Sequence, residues 1–297
     1  MSENTKCGFV AIIGRPNVGK STLLNCMLGE KIAIVSKKPQ TTRTAINGIL
    51  TRDGVQYVFI DTPGVHKPKN RLGDFMVKAA YSSISGADVI LFVTESGSKP
   101  SDTELKLVQR FKKLEIPVYL IINKIDAVNK EKLGQTILDY SPLMEFADVI
   151  PVSALKNDGV DIILNEIKND FSEGGFYFPE DMLTDQPERT IVSEVIREKI
   201  LRLTDEEIPH GVAVVIEEFT EKKDLISVRA EIFCEKQSHK GIIIGKNGEM
   251  LKKIGMYARE DLESFFGCRF FLDLWVKVKK NWRDSVAAAK NFGYDDK

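Results

Sequence analysis

The chain has 297 residues, 43% hydrophobic and 29% charged, with 42 basic against 43 acidic side chains and a formal net charge of −1. That length suits two domains of ordinary size, and the composition is that of a folded protein, which excludes disordered and fibrous classes. Near-neutrality excludes a chain that is basic throughout, so any nucleic-acid surface must be a local patch.

Cys7, Cys26, Cys234 and Cys268 are scattered with no Cys-x-x-Cys pair, which speaks against a zinc site or disulfide framework and fits a reducing compartment. His66, His210 and His239 are isolated, and a surface or loop role is expected for each. No apolar run reaches the roughly 20 residues needed to span a bilayer. The first apolar run follows a short, unremarkable leader and reads as a strand, so no signal peptide is expected and a cytoplasmic location is.

Residues 9–13 read as a buried strand and run into Gly14-Arg15-Pro16-Asn17-Val18-Gly19-Lys20-Ser21, which opens into Thr22-Leu23-Leu24-Asn25. Strand, tight turn and helix N-terminus are the setting in which a phosphate-binding loop works. Its glycines let successive N–H groups turn toward phosphate oxygens. Lys20 is expected at the β- and γ-phosphates and the Ser21 hydroxyl on Mg²⁺. Glycines also serve ordinary strand-to-helix turns, but the Lys-Ser pair in this setting points to a nucleoside triphosphate.

Residues 36–44 are polar, and a threonine hydroxyl there should complete the Mg²⁺ shell; Thr42 is preferred to Thr41. Asp53-Gly54 predicts a hairpin between residues 45–51 and 55–60. Asp61-Thr62-Pro63-Gly64 follows at the strand end, where Asp61 would hold Mg²⁺ through a water and the Gly64 N–H would meet the γ-phosphate. Taken alone it is a Pro-Gly turn. The next position, Val65, can neither donate nor accept a hydrogen bond. A water-orienting Gln is common there, so slow intrinsic turnover is expected.

Residues 87–93 predict a buried strand. Ser101-Asp102-Thr103-Glu104 is a capping box that starts a helix reaching about residue 114. Strand 117–122 leads into Asn123-Lys124-Ile125-Asp126. The Asp126 carboxylate can accept from guanine N1–H and the exocyclic amine, donors that adenine does not present in that arrangement. Asn123 would brace the loop and base edge, with the Lys124 stem over the ring. A helix over 130–139 and a strand over 148–150 follow. The backbone amides of Ser153, Ala154 and Leu155 could meet the guanine oxygen, and a helix is expected over 161–171.

These five segments, in this order, resemble the translation-factor class of small GTPases. The spelling Gly-Arg-Pro-Asn-Val-Gly-Lys-Ser with Thr-Thr-Arg is similar to the bacterial Era, Der and MnmE branch. The alternation of strand and helix predicts a mostly parallel sheet wrapped by helices, with nucleotide at the strands' carboxyl ends. The resemblance implies a K⁺ ion associated with Asn17.

Periodicity is lost over residues 173–188, which read as a linker between a GTPase domain at 1–172 and a second domain at 189–297. Val192, Ile196, Ile200 and Leu203 predict an amphipathic helix over 189–203. Strands are expected over 211–219 and from 226 to 234, where Ile226, Val228, Ala230, Ile232 and Cys234 share one face. A short helix over 238–244 meets the loop Gly245-Lys246-Asn247-Gly248, then a helix over 249–265. In the next strand Phe270, Leu272, Leu274, Val276 and Val278 share a face, and a final helix is expected over 281–291. Trp275 and Trp282 could stack bases, but both are assigned to core packing.

That order, with the Gly-x-x-Gly loop at the helix–helix junction, resembles an α+β type II KH domain. The loop's glycines would admit a nucleic-acid backbone, with Lys236, His239, Lys240, Lys246, Lys252 and Lys253 supplying the basic surroundings. Lys277, Lys279, Lys280 and Arg283 form a second cluster for which a solvated strand end is as good a reading.

One GTPase domain followed by a type II KH domain resembles the Era family over nearly the whole chain. That resemblance implies a monomeric GTP- and GDP-binding protein that recognises the 3′ end of 16S ribosomal RNA rather than DNA. It further implies assistance to 30S subunit maturation and peripheral membrane association. Two alternatives stay open from the residues alone: an RNA-binding scaffold with GTP as a structural ligand, and a metabolic ATPase, which Asp126 disfavours.

Overall fold

The computed structural model describes residues 5–36, 38–68, 70–205 and 208–294. The chain forms two compact units. One comprises Met1–Ala33, Thr42–Pro68 and Met76–Asp185, the other Ile34–Thr41, Lys69–Phe75 and Gln186–Lys297.

The first part of the chain runs β1 (Lys6–Gly14), α1 (Lys20–Leu28), β2 (Ile46–Arg52), β3 (Val55–Asp61), α2 (Arg71–Ser82), β4 (Val89–Glu95), α3 (Asp102–Phe111), β5 (Val118–Asn123), α4 (Lys130–Tyr140), β6 (Asp148–Pro151), α5 (Val160–Ile167) and β7 (Ser172–Glu173). The strand order is β2-β3-β1-β4-β5-β6, with β7 added to β1. β2 and β7 pair antiparallel and every other neighbouring pair is parallel. β4 and β5 are apolar up to their carboxyl ends because helices cover both faces of the sheet, leaving no solvent side to encode. Parallel strands deliver their following loops to one edge. The segments after β1, β3, β5 and β6 therefore meet there.

The hairpin turns at Asp53 and Gly54, both with positive φ, as its Asp-Gly pair predicts. Ser101 and Glu104 cap α3 reciprocally. The residues expected to form a loose linker are instead docked on the first unit. Gln56 Oε1 accepts the Tyr177 and Phe178 N–H groups at 2.9 and 3.0 Å, and the Ile49 N–H donates to Leu183 O.

The second part runs α6 (Glu188–Leu203), β8 (Ala213–Lys222), β9 (Leu225–Cys234), α7 (Gln237–Ile244), α8 (Glu249–Phe266), β10 (Arg269–Val278) and α9 (Val286–Asn291). The sheet order is β10-β9-β8, with β9 parallel to β10 and antiparallel to β8. The predicted face of β9 is buried and packs with Ile196 and Ile200 of α6, and with Ile254, Ala258 and Leu262 of α8. Each buried Val, Ile or Leu there contributes about 1.5–3 kcal/mol.

Three expectations need correction. The final helix starts at Val286, because Asn281 adopts positive φ and Ser285 caps a new start. Trp282 is buried and donates to Gly211 O, but Trp275 is 56% exposed on the sheet face away from the helices. The polar side of α6 is not solvated: Arg197, Glu198 and Lys199 are all buried.

Candidate functional site

α1 begins at Lys20 directly after Gly19, whose φ of 100° places it in the left-handed region. A side chain at Gly19 would strain the backbone by about 1–2 kcal/mol. Its Cβ would also lie 2.2 Å from Asn123 Nδ2. The helix start has neither a capping side chain nor an acidic residue in its first turn, so its N–H groups and dipole are left for an anion. Lys20 is buried, and its ammonium donates to Gly14 O at 3.2 Å and Arg15 O at 3.0 Å. Burial lowers its pKa to about 8, opposed by the nearby Asp61 carboxylate. Asn17, at positive φ, is exposed at the loop's turn, while Val18 is buried and Pro16 and Thr22 are half-buried.

Three oxygen-bearing side chains converge beside it. Ser21 Oγ donates to Asp61 Oδ2 at 2.6 Å, and Thr42 Oγ1 donates to the same oxygen at 3.2 Å. The two hydroxyls are 2.9 Å apart. Asp61 is fully buried, which pushes its carboxyl pKa up, and its Oδ1 has no hydrogen-bond partner among the described residues. A buried carboxylate with one oxygen unspent, next to two hydroxyls, is a hard-oxygen donor set that fits Mg²⁺. Thr41 is not part of it, since its hydroxyl donates to Lys38 O.

The turn after β3 lies against the phosphate loop. Thr62 donates to Ile12 O, the Val65 N–H donates to Gly14 O, and a Cβ at Gly64 would stand 2.6 Å from Pro16 Cα. Pro63 is buried, and the Val65 side chain packs into the core between sheet and helices. Position 65 therefore faces away from where a water-orienting group would act.

At the other end of the site Asn123 is buried and braces two loops. Its Nδ2 donates to Val18 O at 2.9 Å, and its Oδ1 accepts the Ala154 N–H at 3.0 Å. Lys124, at φ 66°, pairs with Glu95. The Asp126 carboxylate faces solvent with one oxygen held by Ser153 Oγ at 2.5 Å, while Leu155 is largely exposed. That side-chain role for Ser153 is additional to the backbone role read from sequence.

Glu104 joins the site without any motif announcing it. Fully buried, it pairs through Oε2 with Arg15 Nε at 3.0 Å, and its Oε1 accepts from Thr94 and Tyr140. The capping box places it at a helix start, but nothing in its spacing ties it to the phosphate loop.

In the second unit Gly245, Asn247 and Gly248 all have positive φ, so the Gly-x-x-Gly loop is sharply turned. A Cβ at Gly245 would be 2.7 Å from Met250 Cβ, whereas Gly248 faces open space and starts α8 with no capping side chain. Lys236, Lys246, Lys252 and Lys253 are exposed and Lys240 is half-buried. His239 departs from expectation: it is buried and does not present itself with them. In the second basic cluster Lys277 pairs with Glu231 and Arg283 with Glu235, and Lys279 lies over the Phe292 ring.

Among the described residues, no helix is long and apolar enough to cross a membrane.

Comparison with known proteins agrees with both halves. Residues 9–124 match the family described as 50S ribosome-binding GTPase, and residues 207–283 match the KH domain family. The chain is 53% identical over 290 residues to GTPase Era of Ruminiclostridium cellulolyticum, covering 97% of each protein. It is 52% identical to GTPase Era of Clostridium kluyveri, covering 97% of this chain and 99% of the other. A single-residue variant of Aquifex aeolicus Era, solved with GDP·AlF4⁻, superposes with a TM-score of 0.94 at 40% identity, covering 98% of this chain and 99% of that one. An Era solved with MgGDPNP and nucleotides 1506–1542 of 16S ribosomal RNA gives the same score, identity and coverage. A nucleotide cradle and a Gly-x-x-Gly loop on one chain, matched nearly end to end at this identity, place the chain in the Era family of GTPases.

Proposed function

We propose that this GTPase binds GTP with Mg²⁺ in the first unit and the 3′ end of 16S ribosomal RNA at the Gly245–Gly248 loop, acting in maturation of the 30S subunit. The glycine loop itself carries the reading: Gly245, Asn247 and Gly248 stand at positive φ, Lys246 and Asn247 are exposed at its tip, and lysines ring it. That is a surface on which a sugar-phosphate backbone can lie close. The Era relative solved with nucleotides 1506–1542 of 16S ribosomal RNA names the RNA.

In the nucleotide site each group has a role that follows from its placement. Asp126, aimed by Ser153, accepts from guanine's two adjacent donors, and Asn123 holds the loop that carries it. Lys20 keeps an ammonium at the phosphate end, and the uncapped start of α1 adds N–H groups of the same polarity. Ser21, Thr42 and Asp61 would hold Mg²⁺, which when bound neutralises charge on the phosphate oxygens. With Val65 in the core, no side chain at position 65 orients water. That work falls to backbone groups such as the Gly64 N–H, and turnover is slow.

Asn17, matching the position associated with K⁺ in related GTPases, is exposed on the loop. Hydrolysis is therefore expected to run several-fold faster in K⁺ than in Na⁺ buffer; equal rates would remove the ion.

The RNA reading is tested by crosslinking the full chain to an oligonucleotide of the 16S 3′ end with GDP or a non-hydrolysable GTP analogue. Crosslinks are expected within residues 236–253 and stronger with the analogue. Contacts elsewhere would overturn the loop assignment. Equal affinity in both nucleotide states would remove any switching.

A further inference from the structure

The compact unit built on residues 186–297 also contains Ile34–Thr41, the stretch that precedes Thr42. Inside that unit the stretch is tied to α6 at several points. The Val35 N–H donates to Glu198 Oε1 at 2.9 Å, and Arg202 Nε donates to Val35 O at 3.2 Å. Lys38 Nζ pairs with Asp205 at 3.0 Å, and the Arg197 guanidinium donates to Thr41 O.

The groups making these contacts are themselves fixed. Glu198 is completely buried and also pairs with Lys199 and Arg202. Arg197 is 1% exposed and paired with Glu194. Burial opposes its charge, but the Glu194 carboxylate outweighs that and its pKa is raised. It stays a cation.

Buried charge on a helix is costly unless it is paired and does something. Arg197 and Glu198 occupy adjacent positions on the polar side of α6, where a solvated face would serve if the helix only had to pack its apolar stripe. Instead they spend hydrogen bonds on backbone groups 156 and 163 residues earlier in the chain.

That segment ends one peptide bond before Thr42, and Thr42 Oγ1 sits at the Ser21–Asp61 corner. Holding Thr41 O fixes one end of the Thr41–Thr42 peptide plane, and with it limits where the Thr42 hydroxyl can point.

We infer that Arg197 and Glu198 are positioning residues for GTP hydrolysis: they hold residues 35–41 so that Thr42 is presented to the Mg²⁺ corner. The inference rests on the reading that Ser21, Thr42 and Asp61 hold Mg²⁺. The effect is specific to the triphosphate state, because GDP binding does not draw on the residue-42 hydroxyl in GTPases of this kind.

The test uses the full chain and five variants: Arg197→Ala, Glu198→Ala, Glu198→Gln, the half-exposed Arg202→Ala as a variant with little folding risk, and Thr42→Ala as the reference. Mg²⁺ is titrated at saturating GTP, and GDP affinity and thermal midpoint are measured alongside. Losing a charge-assisted hydrogen bond to residues 35–41 is expected to raise the Mg²⁺ concentration for half-maximal hydrolysis about tenfold in Arg197→Ala and Glu198→Ala. Arg202→Ala, at a half-exposed site, moves it in the same direction by about twofold. GDP affinity stays within about twofold of the parent throughout, since no phosphate contact is touched. Glu198→Gln, which keeps an oxygen for the Val35 N–H, restores most of the Mg²⁺ response.

A merely structural role would lower the midpoint and weaken GDP and GTP alike. That result, or an unchanged Mg²⁺ response in variants that fold, overturns the inference. If Thr42→Ala leaves the Mg²⁺ requirement unchanged, the reading of the metal corner itself fails, and the inference falls with it. If Arg197→Ala and Glu198→Ala do not fold, a flat response in Arg202→Ala overturns it.

Discussion

Lys20 shows how one side chain can be fixed by sequence in kind but not in state. The motif names it and places it at a helix start. It does not say that burial lowers its pKa to about 8 while Asp61 pulls the other way, or that two carbonyls accept hydrogen bonds from it. In the unfolded chain the ammonium keeps its proton to about pH 10.4. Between about pH 8 and that value the unfolded state binds more protons, so stability rises with pH across the window. Below it Lys20 is charged in both states and the desolvation cost is at its full size. Polyphosphate oxygens at the ammonium would lift the pKa again. Nucleotide binding at about pH 9 should therefore take up most of a proton, and binding near pH 6.5 none from this residue. Calorimetry in two buffers of different ionisation enthalpy reads that uptake directly. A Lys20→Arg chain, whose guanidinium does not titrate, should not show it. Buffer-independent heats at pH 9 in the parent would refute the burial argument.

Element by element, the sequence is most legible where one face is apolar and one is not. β9 alternates, and its apolar set is buried as read. β4 and β5, apolar up to their carboxyl ends, follow from burial on both faces. The capping box gives the start of α3. The nucleotide motifs are legible as a set because each is a strand end followed by a short, strongly constrained turn, and parallel strands bring such ends together. α6 is half legible. Its apolar stripe is where the periodicity puts it, but a polar side buried against other parts of the chain looks, in sequence, the same as one facing water. Trp275 follows the alternation of β10, which puts it opposite Leu274 and Val276, whereas His239 defeats the reading for the same reason as α6. An imidazole side chain suits either side of a helix, and only the partner elements decide. Residues 173–185 lack periodicity and read as a linker, yet one buried Gln56 amide holds their backbone to β3. Those contacts join positions 121 and 122 residues apart, a separation no local pattern encodes.

Across the whole molecule charge is almost balanced, at −1 over 297 residues, so attraction to RNA cannot come from the average field. It must come from the four exposed lysines and the half-buried Lys240 around the glycine loop. That distribution sets a number. Single-stranded nucleic acid releases about 0.7 counterion per phosphate neutralised, so roughly four to five contacts give a slope of log K against log salt of about −3. Fluorescence anisotropy with an oligonucleotide of the 16S 3′ end, titrated at several KCl concentrations with the GTP analogue bound, measures it. Lys246→Ala should make the slope shallower by about 0.7 and weaken every sequence alike, because a phosphate contact carries no base information. Gly245→Ala is different in kind. Its added Cβ meets Met250 and its φ of 74° disfavours a side chain, so it should weaken binding with no change in slope. A slope of about −6 would mean that the RNA engages cations beyond this loop, such as the Lys277–Arg283 cluster. A slope near zero would mean that the lysines are spectators and the loop is not the place where backbone phosphates lie.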